Sequence, residues 1–188
     1  MRKLAIISLI MAVFAAGCSN ASTYKISLKE VSTSTGETKQ ILASNCPDMA
    51  FSDSSISIQW SLDSNGFDLV LKNLTAAPVS VIWDAASLVD DRGETYKITH
   101  KSIAYYEENK AQTPSIIPPG TSLTDTIYPS DFVSWKDNEL RLKPIYSSWW
   151  TRKPLGTYTF EVKSFQVLLP VQMGDIRTDY LFIFDVQL

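Results

Sequence analysis

The sequence predicts an all-β protein, an antiparallel β-sandwich, and three observations predict it. Apolar residues recur at every second position: Ile56, Ile58, Trp60 and Leu62 alternate with Ser57, Gln59 and Ser61. That period belongs to a strand and excludes a helix face. Turn chemistry returns at short intervals, as in Asp63-Ser64-Asn65-Gly66, Asp90-Asp91-Arg92-Gly93 and Pro118-Pro119-Gly120, the spacing of a sandwich or barrel. No window of a dozen residues keeps a helical period, while β-branched and aromatic residues are common. The strand count and spacing give the sandwich an immunoglobulin-like layout, without the disulfide of that layout.

The elements follow in order. Tyr24, Ile26 and Leu28 alternate with lysine and serine as a first strand, and Ser32 to Lys39 reads as a loop. Ile41-Leu42 begins a second short element, and Asn45-Cys46-Pro47-Asp48 reads as a turn. After Ile56–Leu62, Asn65-Gly66 is a hairpin signal, and Phe67, Leu69 and Leu71 return on one face. Val79, Val81 and Trp83 predict a third central strand, with Ile82 on its second face. The Asp90 turn joins Leu88-Val89 to Tyr96–Ile98, and Thr121–Tyr128 follows the Pro-Gly break with Leu123 and Ile127 as its apolar members. At the C-terminus Tyr158, Phe160 and Val162 alternate, Phe165–Val171 is apolar, and Tyr180–Leu188 closes the chain as a strand.

Ahead of this lies MRKLAIISLIMAVFAAGC. Arg2 and Lys3 make a positive start, Leu4–Ala16 an uncharged apolar run, and Ala15-Ala16-Gly17 a small-residue cut site, the parts of a secretory signal. The apolar run falls short of the roughly 20 residues that span a bilayer. Cys18 directly after the small residues resembles the lipobox of bacterial lipoproteins, with Ala15 where leucine is most usual. The resemblance implies that Cys18 becomes a lipidated N-terminus. Ser19, in place of aspartate, then implies the periplasmic face of the outer membrane. The domains expected are a signal peptide at 1–17, a lipidated cysteine and polar tether at 18–23, and one β domain at 24–188.

The formal charge is −3; removing Arg2 and Lys3 with the leader leaves about −5, which argues against nucleic acid and against a polybasic membrane patch. With Cys18 acylated, Cys46 has no partner in the chain, so it is buried, reactive or paired with another molecule. Met49 and Phe51 beside it favour burial as a small hydrophobe.

A second resemblance joins Asn73-Leu74-Thr75, Val81-Ile82-Trp83-Asp84, Asp91-Arg92-Gly93-Glu94 and Ile117-Pro118-Pro119-Gly120-Thr121-Ser122. In that order these motifs resemble the stand-alone immunoglobulin-like domains of bacterial lipoproteins. The likeness covers about residues 56–128, rests on turns, and implies a fold without an activity.

Chemistry has few places to sit. His100 is the one histidine; a Ser-His-Asp arrangement has to use it, yet it lies among lysines with no nucleophile elbow. A hydrogen-bonded or surface strand histidine is the simpler reading. One histidine and one free cysteine do not make a zinc site. Asp84, Asp90, Asp91 and Glu94 could hold calcium, but their spacing is not that of an EF-hand and Asp-Arg-Gly is ordinary turn sequence. No P-loop or dinucleotide fingerprint is present, so neither metal nor cofactor is expected.

The stretch from Tyr128 to Leu155 carries three prolines and a run of aromatic residues between strand-like regions, and long connections are often functional. Adjacent Trp149 and Trp150 cannot share one strand face. Trp135, Tyr146, Trp149, Trp150 and Arg152 are therefore the candidate surface for a glycan or peptide; the alternative is that these rings cover an open end of the sandwich. The function expected is a non-catalytic interaction module, tethered to the membrane by its N-terminal lipid and binding an envelope protein or cell-wall glycan. The alternatives are an envelope hydrolase using the Asp84–Glu94 carboxylates, or a purely structural lipoprotein.

Overall fold

A computed structural model describes residues 25–35, 38–46, 48–62, 66–101, 111–136, 139–142 and 164–187. The leader, Cys18 and the alternating segment Tyr158–Val162 lie outside these residues. The strands are β1 (Lys25–Thr35), β2 (Thr38–Cys46), β3 (Ala50–Ser52), β4 (Ile56–Leu62), β5 (Phe67–Asn73), β6 (Val79–Val81), β7 (Ser87–Val89) and β8 (Thr95–His100). They continue as β9 (Ser115–Ile117), β10 (Ser122–Pro129), β11 (Val133–Lys136), β12 (Glu139–Leu142), β13 (Ser164–Met173) and β14 (Ile176–Gln187).

Among the described residues, twelve strands form one antiparallel sheet in the order β2-β1-β14-β13-β7-β8-β10-β5-β4-β3, with β6 joined to β13 and β9 to β6. The sheet is nearly closed into a barrel. Its two outermost strands, β2 and β3, are consecutive in the chain, linked through a turn in which Met49 N–H donates to the Cys46 carbonyl at 3.2 Å. β11 and β12 pair as a separate hairpin.

Period two places the core as the alternation requires. Ile56, Ile58 and Trp60 of β4, Phe67, Leu69 and Leu71 of β5, and Tyr180, Phe182 and Phe184 of β14 are all buried. The two halves of the sheet meet through these rings. Trp60 packs edge-on against Phe182 and Phe184 at 5.2 and 5.6 Å, and Phe67 lies 5.0 Å from Phe165, which stacks on Phe184. Such aromatic pairs add about 0.5–1.5 kcal/mol each beyond the area they bury.

Three readings of the sequence change. The Ser32–Lys39 loop is mostly strand: β1 runs to Thr35 and β2 starts at Thr38, with Thr35 and Thr38 paired. Alternating Ser and Thr suit a strand that is flanked by β14 on its other edge. Asn45 and Cys46, read as the start of a turn, complete β2; Asn45 takes a left-handed φ of 54° there, a conformation asparagine tolerates.

Trp83 leaves the strand. Val79–Val81 is β6, but Trp83–Ala85 is a single 3-10 turn, after which the chain resumes as β7. Both β6 and β7 pair with β13, on Val171–Met173 and Gln166–Leu168. Pro170 falls between these two stretches, where its carbonyl accepts from Ile82 N–H at 3.0 Å. A strand residue sends its N–H and C=O to the same side, so the N–H that proline lacks faces the gap left by the 3-10 turn. That is the one kind of place where an inner strand accepts proline.

Gly66 was read as half of an Asn-Gly hairpin signal. Among the described residues the glycines of positive φ are Gly93, Gly120 and Gly174, and Gly66 is not one of them. Its reason is space. A Cβ there would stand 2.6 Å from the Tyr128 ring and 2.8 Å from Thr126 Cγ2. Glycine lets β10 and the start of β5 close on each other.

Candidate functional site

The stretch singled out for binding falls largely outside the described residues: this holds for Tyr146, Trp149, Trp150 and Arg152. Trp135 is in β11, where its backbone pairs with Leu140. The strands on either side are placed. β10 ends at Pro129, paired with Ile98, and the chain re-enters the sheet at Ser164, paired with Asp185 near the end of β14. The structure thus fixes where this stretch joins the fold.

The acidic loop between β7 and β8 is a self-contained turn. Asp90 is buried, and its Oδ1 accepts the backbone N–H of Arg92 and Glu94 at 3.0 and 2.9 Å. Its Oδ2 takes Arg92 Nε at 3.0 Å, and Arg92 also reaches Glu94 Oε2 at 2.7 Å. Tyr96 donates to Glu94 Oε2 at 2.8 Å. Asp84 stands apart on the 3-10 turn, accepting the Gln112 N–H at 2.9 Å and facing Lys97 Nζ at 3.5 Å. Among the described residues no three histidine, cysteine or acidic side chains converge as a metal site. Of the four carboxylates read as possible calcium ligands, Asp90 and Glu94 are engaged in tying the turn together, and Asp84 is engaged outside it.

Burial alone would raise the Asp90 pKa; the Arg92 hydrogen bond and the backbone N–H groups of Glu94 and Arg92 outweigh it and hold the carboxyl below its ordinary value. A carboxylate with a depressed folded pKa stabilises the fold above its unfolded pKa and loses that contribution as pH falls through the folded one. The turn is therefore expected to weaken below about pH 4. Acid titration of stability checks this: Asp90→Asn should flatten the acid limb and leave a lower plateau at neutral pH. Burial also pushes the Tyr96 phenol up to about 12, helped by its hydrogen bond to Glu94.

The arrangement closest to a chemical site lies elsewhere, between β8, β10 and the 3-10 turn. His100 Nδ1 is 2.7 Å from Asp125 Oδ2, and the two side chains are only 6% and 2% exposed. The imidazole stacks on Trp83 with ring centres 4.6 Å apart and planes 14° from parallel. Trp83 Nε1 donates to Ser115 Oγ at 2.8 Å, and Gln112 Nε2 donates to the Ile98 carbonyl at 2.7 Å. Asp125 Oδ1 accepts the Thr126 N–H at 2.8 Å.

A carboxylate on Nδ1 orients a histidine as it does in a catalytic triad. Here both side chains are buried, whereas a base acts within hydrogen-bond reach of its substrate. The pair holds β8 to β10 beneath the 111–115 segment. His100 is a hydrogen-bonded strand histidine, as the simpler reading of the sequence expects. Asp125 was missed, although period two through Leu123 and Ile127 puts it on the core face. A carboxylate on that face demands a buried donor.

Cys46 is half-buried, free among the described residues, and packed against the core, as its apolar neighbours suggested. Asn73 and the Pro118–Thr121 turn, two separate motifs of the lipoprotein resemblance, meet in space. Asn73 Nδ2 donates to the Ala77 and Ile117 carbonyls at 2.7 and 2.9 Å, and its backbone pairs with Gly120 and Thr121. Compared with known proteins, the chain matches no family model, and no curated protein or solved structure matches it.

Proposed function

We propose that this chain is a lipid-anchored, non-catalytic protein of the cell envelope, held at the periplasmic face of the outer membrane. Its β domain, laid out like an immunoglobulin sandwich, binds an envelope protein or a cell-wall glycan. The observation that carries this reading is the leader: Arg2-Lys3, an apolar run too short to span, Ala15-Ala16-Gly17 and then Cys18. Three acyl chains, the number that the lipoprotein resemblance implies, exceed the two signals that stable membrane attachment takes. Two structural facts support the non-catalytic part. The Asp90–Glu94 carboxylates are engaged within their own turn, and the His100–Asp125 pair is closed off from solvent. The edge-on packing of Trp60 of β4 against Phe182 and Phe184 of β14, across the core, supports the sandwich layout.

Mass spectrometry of the mature N-terminus tests the anchor. Residues 1–17 should be absent and Cys18 should carry fatty acid; Cys18→Ala should leave unprocessed precursor. A chain with its leader attached and no fatty acid overturns the reading. For the interaction, crosslinking in intact envelopes should recover a partner, and Trp149→Ala with Trp150→Ala should weaken recovery without lowering the melting temperature.

A further inference from the structure

Deepening that reading and resting on it, we propose that the barrel is held with one particular end toward the bilayer: the end where β1 begins and β14 finishes. The strand register defines two ends. At the first, Lys25 pairs with Gln187 and Ser164 with Asp185. Val89 pairs with Gln166, so the Asp90–Glu94 turn lies there too, and the Phe67–Phe165 ring contact brings the start of β5 to the same end.

At the second end Met173 pairs with Ile176 in the β13–β14 hairpin and with Val79, which pairs in turn with Ile117. Asn73 ties the 118–121 turn to this end through Ile117 and Gly120. Tyr180 OH donates to Asp53 Oδ2 at 2.7 Å, bringing the β3–β4 turn alongside.

Chain length decides between the ends. From Cys18 to Lys25 the chain extends to about 25 Å at most, at roughly 3.3–3.6 Å per residue. The twelve residues of β14 rise about 36 Å at roughly 3.3 Å per residue. A tether attached at the first end is too short to turn the second end onto the membrane.

Lying on one side is disfavoured by the surface. Among the described residues the exposed large hydrophobics are Ile41, Val70, Leu74, Ile116 and Ile176. Of these, Leu74, Ile116 and Ile176 stand at the second end, which leaves Ile41 and Val70 along the sides, too few to make the apolar face that sinks an amphipathic surface into headgroups. The Asp90–Glu94 turn at the first end carries three carboxylates against Arg92 and so brings no net positive charge to anionic lipid; this end faces the bilayer because it is tethered there. Among the described residues, the β13–β14 hairpin, the 53–55 and 74–78 turns and the 118–121 turn consequently point away from the bilayer.

The test uses the full acylated chain in phosphatidylcholine vesicles containing a headgroup spin-labelled lipid. In a Cys46→Ser background, Asp91→Cys or Ile176→Cys carries an environment-sensitive fluorophore. Quenching at position 91 should exceed that at 176 several-fold. Equal quenching, or stronger quenching at 176, overturns the orientation. Mass spectrometry and vesicle flotation of the same preparation separate the two failures. Acylated, floating protein with the wrong quenching order sinks the orientation alone. A chain without fatty acid that does not float sinks the anchor, and the orientation with it.

Discussion

Asn73→Ala should cost about 3 kcal/mol of folding stability, near the upper range for a single polar truncation. The side chain is fully buried at the end of β5 and uses all of its capacity. Nδ2 donates to the Ala77 and Ile117 carbonyls, and Oδ1 accepts from Thr75 N–H and Thr75 Oγ1, both at 2.8 Å. Exposed Ala77 can turn to water after the truncation; the Ile117 carbonyl, bonded in the interior, has no such exchange. An orphaned buried acceptor costs about 1–3 kcal/mol, and the 74–78 turn loses its organising group as well. Asn73→Asp, nearly identical in shape, should be at least as damaging. It keeps the acceptor for Thr75 but sets a charged oxygen against the Ile117 carbonyl. Urea unfolding reads the result: the midpoint should fall by about 1–3 M with an unchanged slope. A shift of less than a few tenths of a molar for both variants would show that the turn stands without Asn73.

That prediction also marks how far the sequence could be read. Asn73 was legible as a turn residue, since asparagine before Leu74-Thr75 suits a local turn. Its bond to Ile117 was not, because it joins residues 44 positions apart and leaves no periodic trace. The strands whose faces differ were legible for the opposite reason. In β4, β5, β13 and β14 one face is core, and burial imposes period two on the residues themselves. Short strands carry no such signal: three residues in β6 and three in β7 cannot show that both lean on β13. Pro170 was a usable clue to that gap, being a proline inside an apolar run. The sheet's near-closure was hidden too, because which strands become neighbours depends on pairings far apart in the chain. For the candidate site, the acidic loop read correctly as turn sequence, and what it could not show was that Asp90 turns inward to collect its donors.

His100→Ala should destabilise the domain by about 3–5 kcal/mol, the usual cost of taking one partner from a buried pair. The truncation leaves Asp125 Oδ2 without the donor 2.7 Å away, in a side chain only 2% exposed, and removes the ring stacked on Trp83. Asp125→Asn is expected to cost less, about 1–2 kcal/mol, because an amide oxygen still accepts from Nδ1–H and no charge is stranded. The order of the two variants carries the argument. If the pair were merely two polar groups filling space, truncating the larger imidazole and softening the carboxylate would scale with volume alone. If the buried carboxylate is the demanding partner, replacing both residues should recover part of the loss. His100→Leu with Asp125→Leu should then be more stable than His100→Leu alone, since the apolar pair has no charge left to satisfy. Thermal melts of the three variants and the double mutant decide it. A double mutant no more stable than His100→Leu alone would mean that β8 and β10 are joined here by packing against Trp83, and that the hydrogen bond contributes little to holding them.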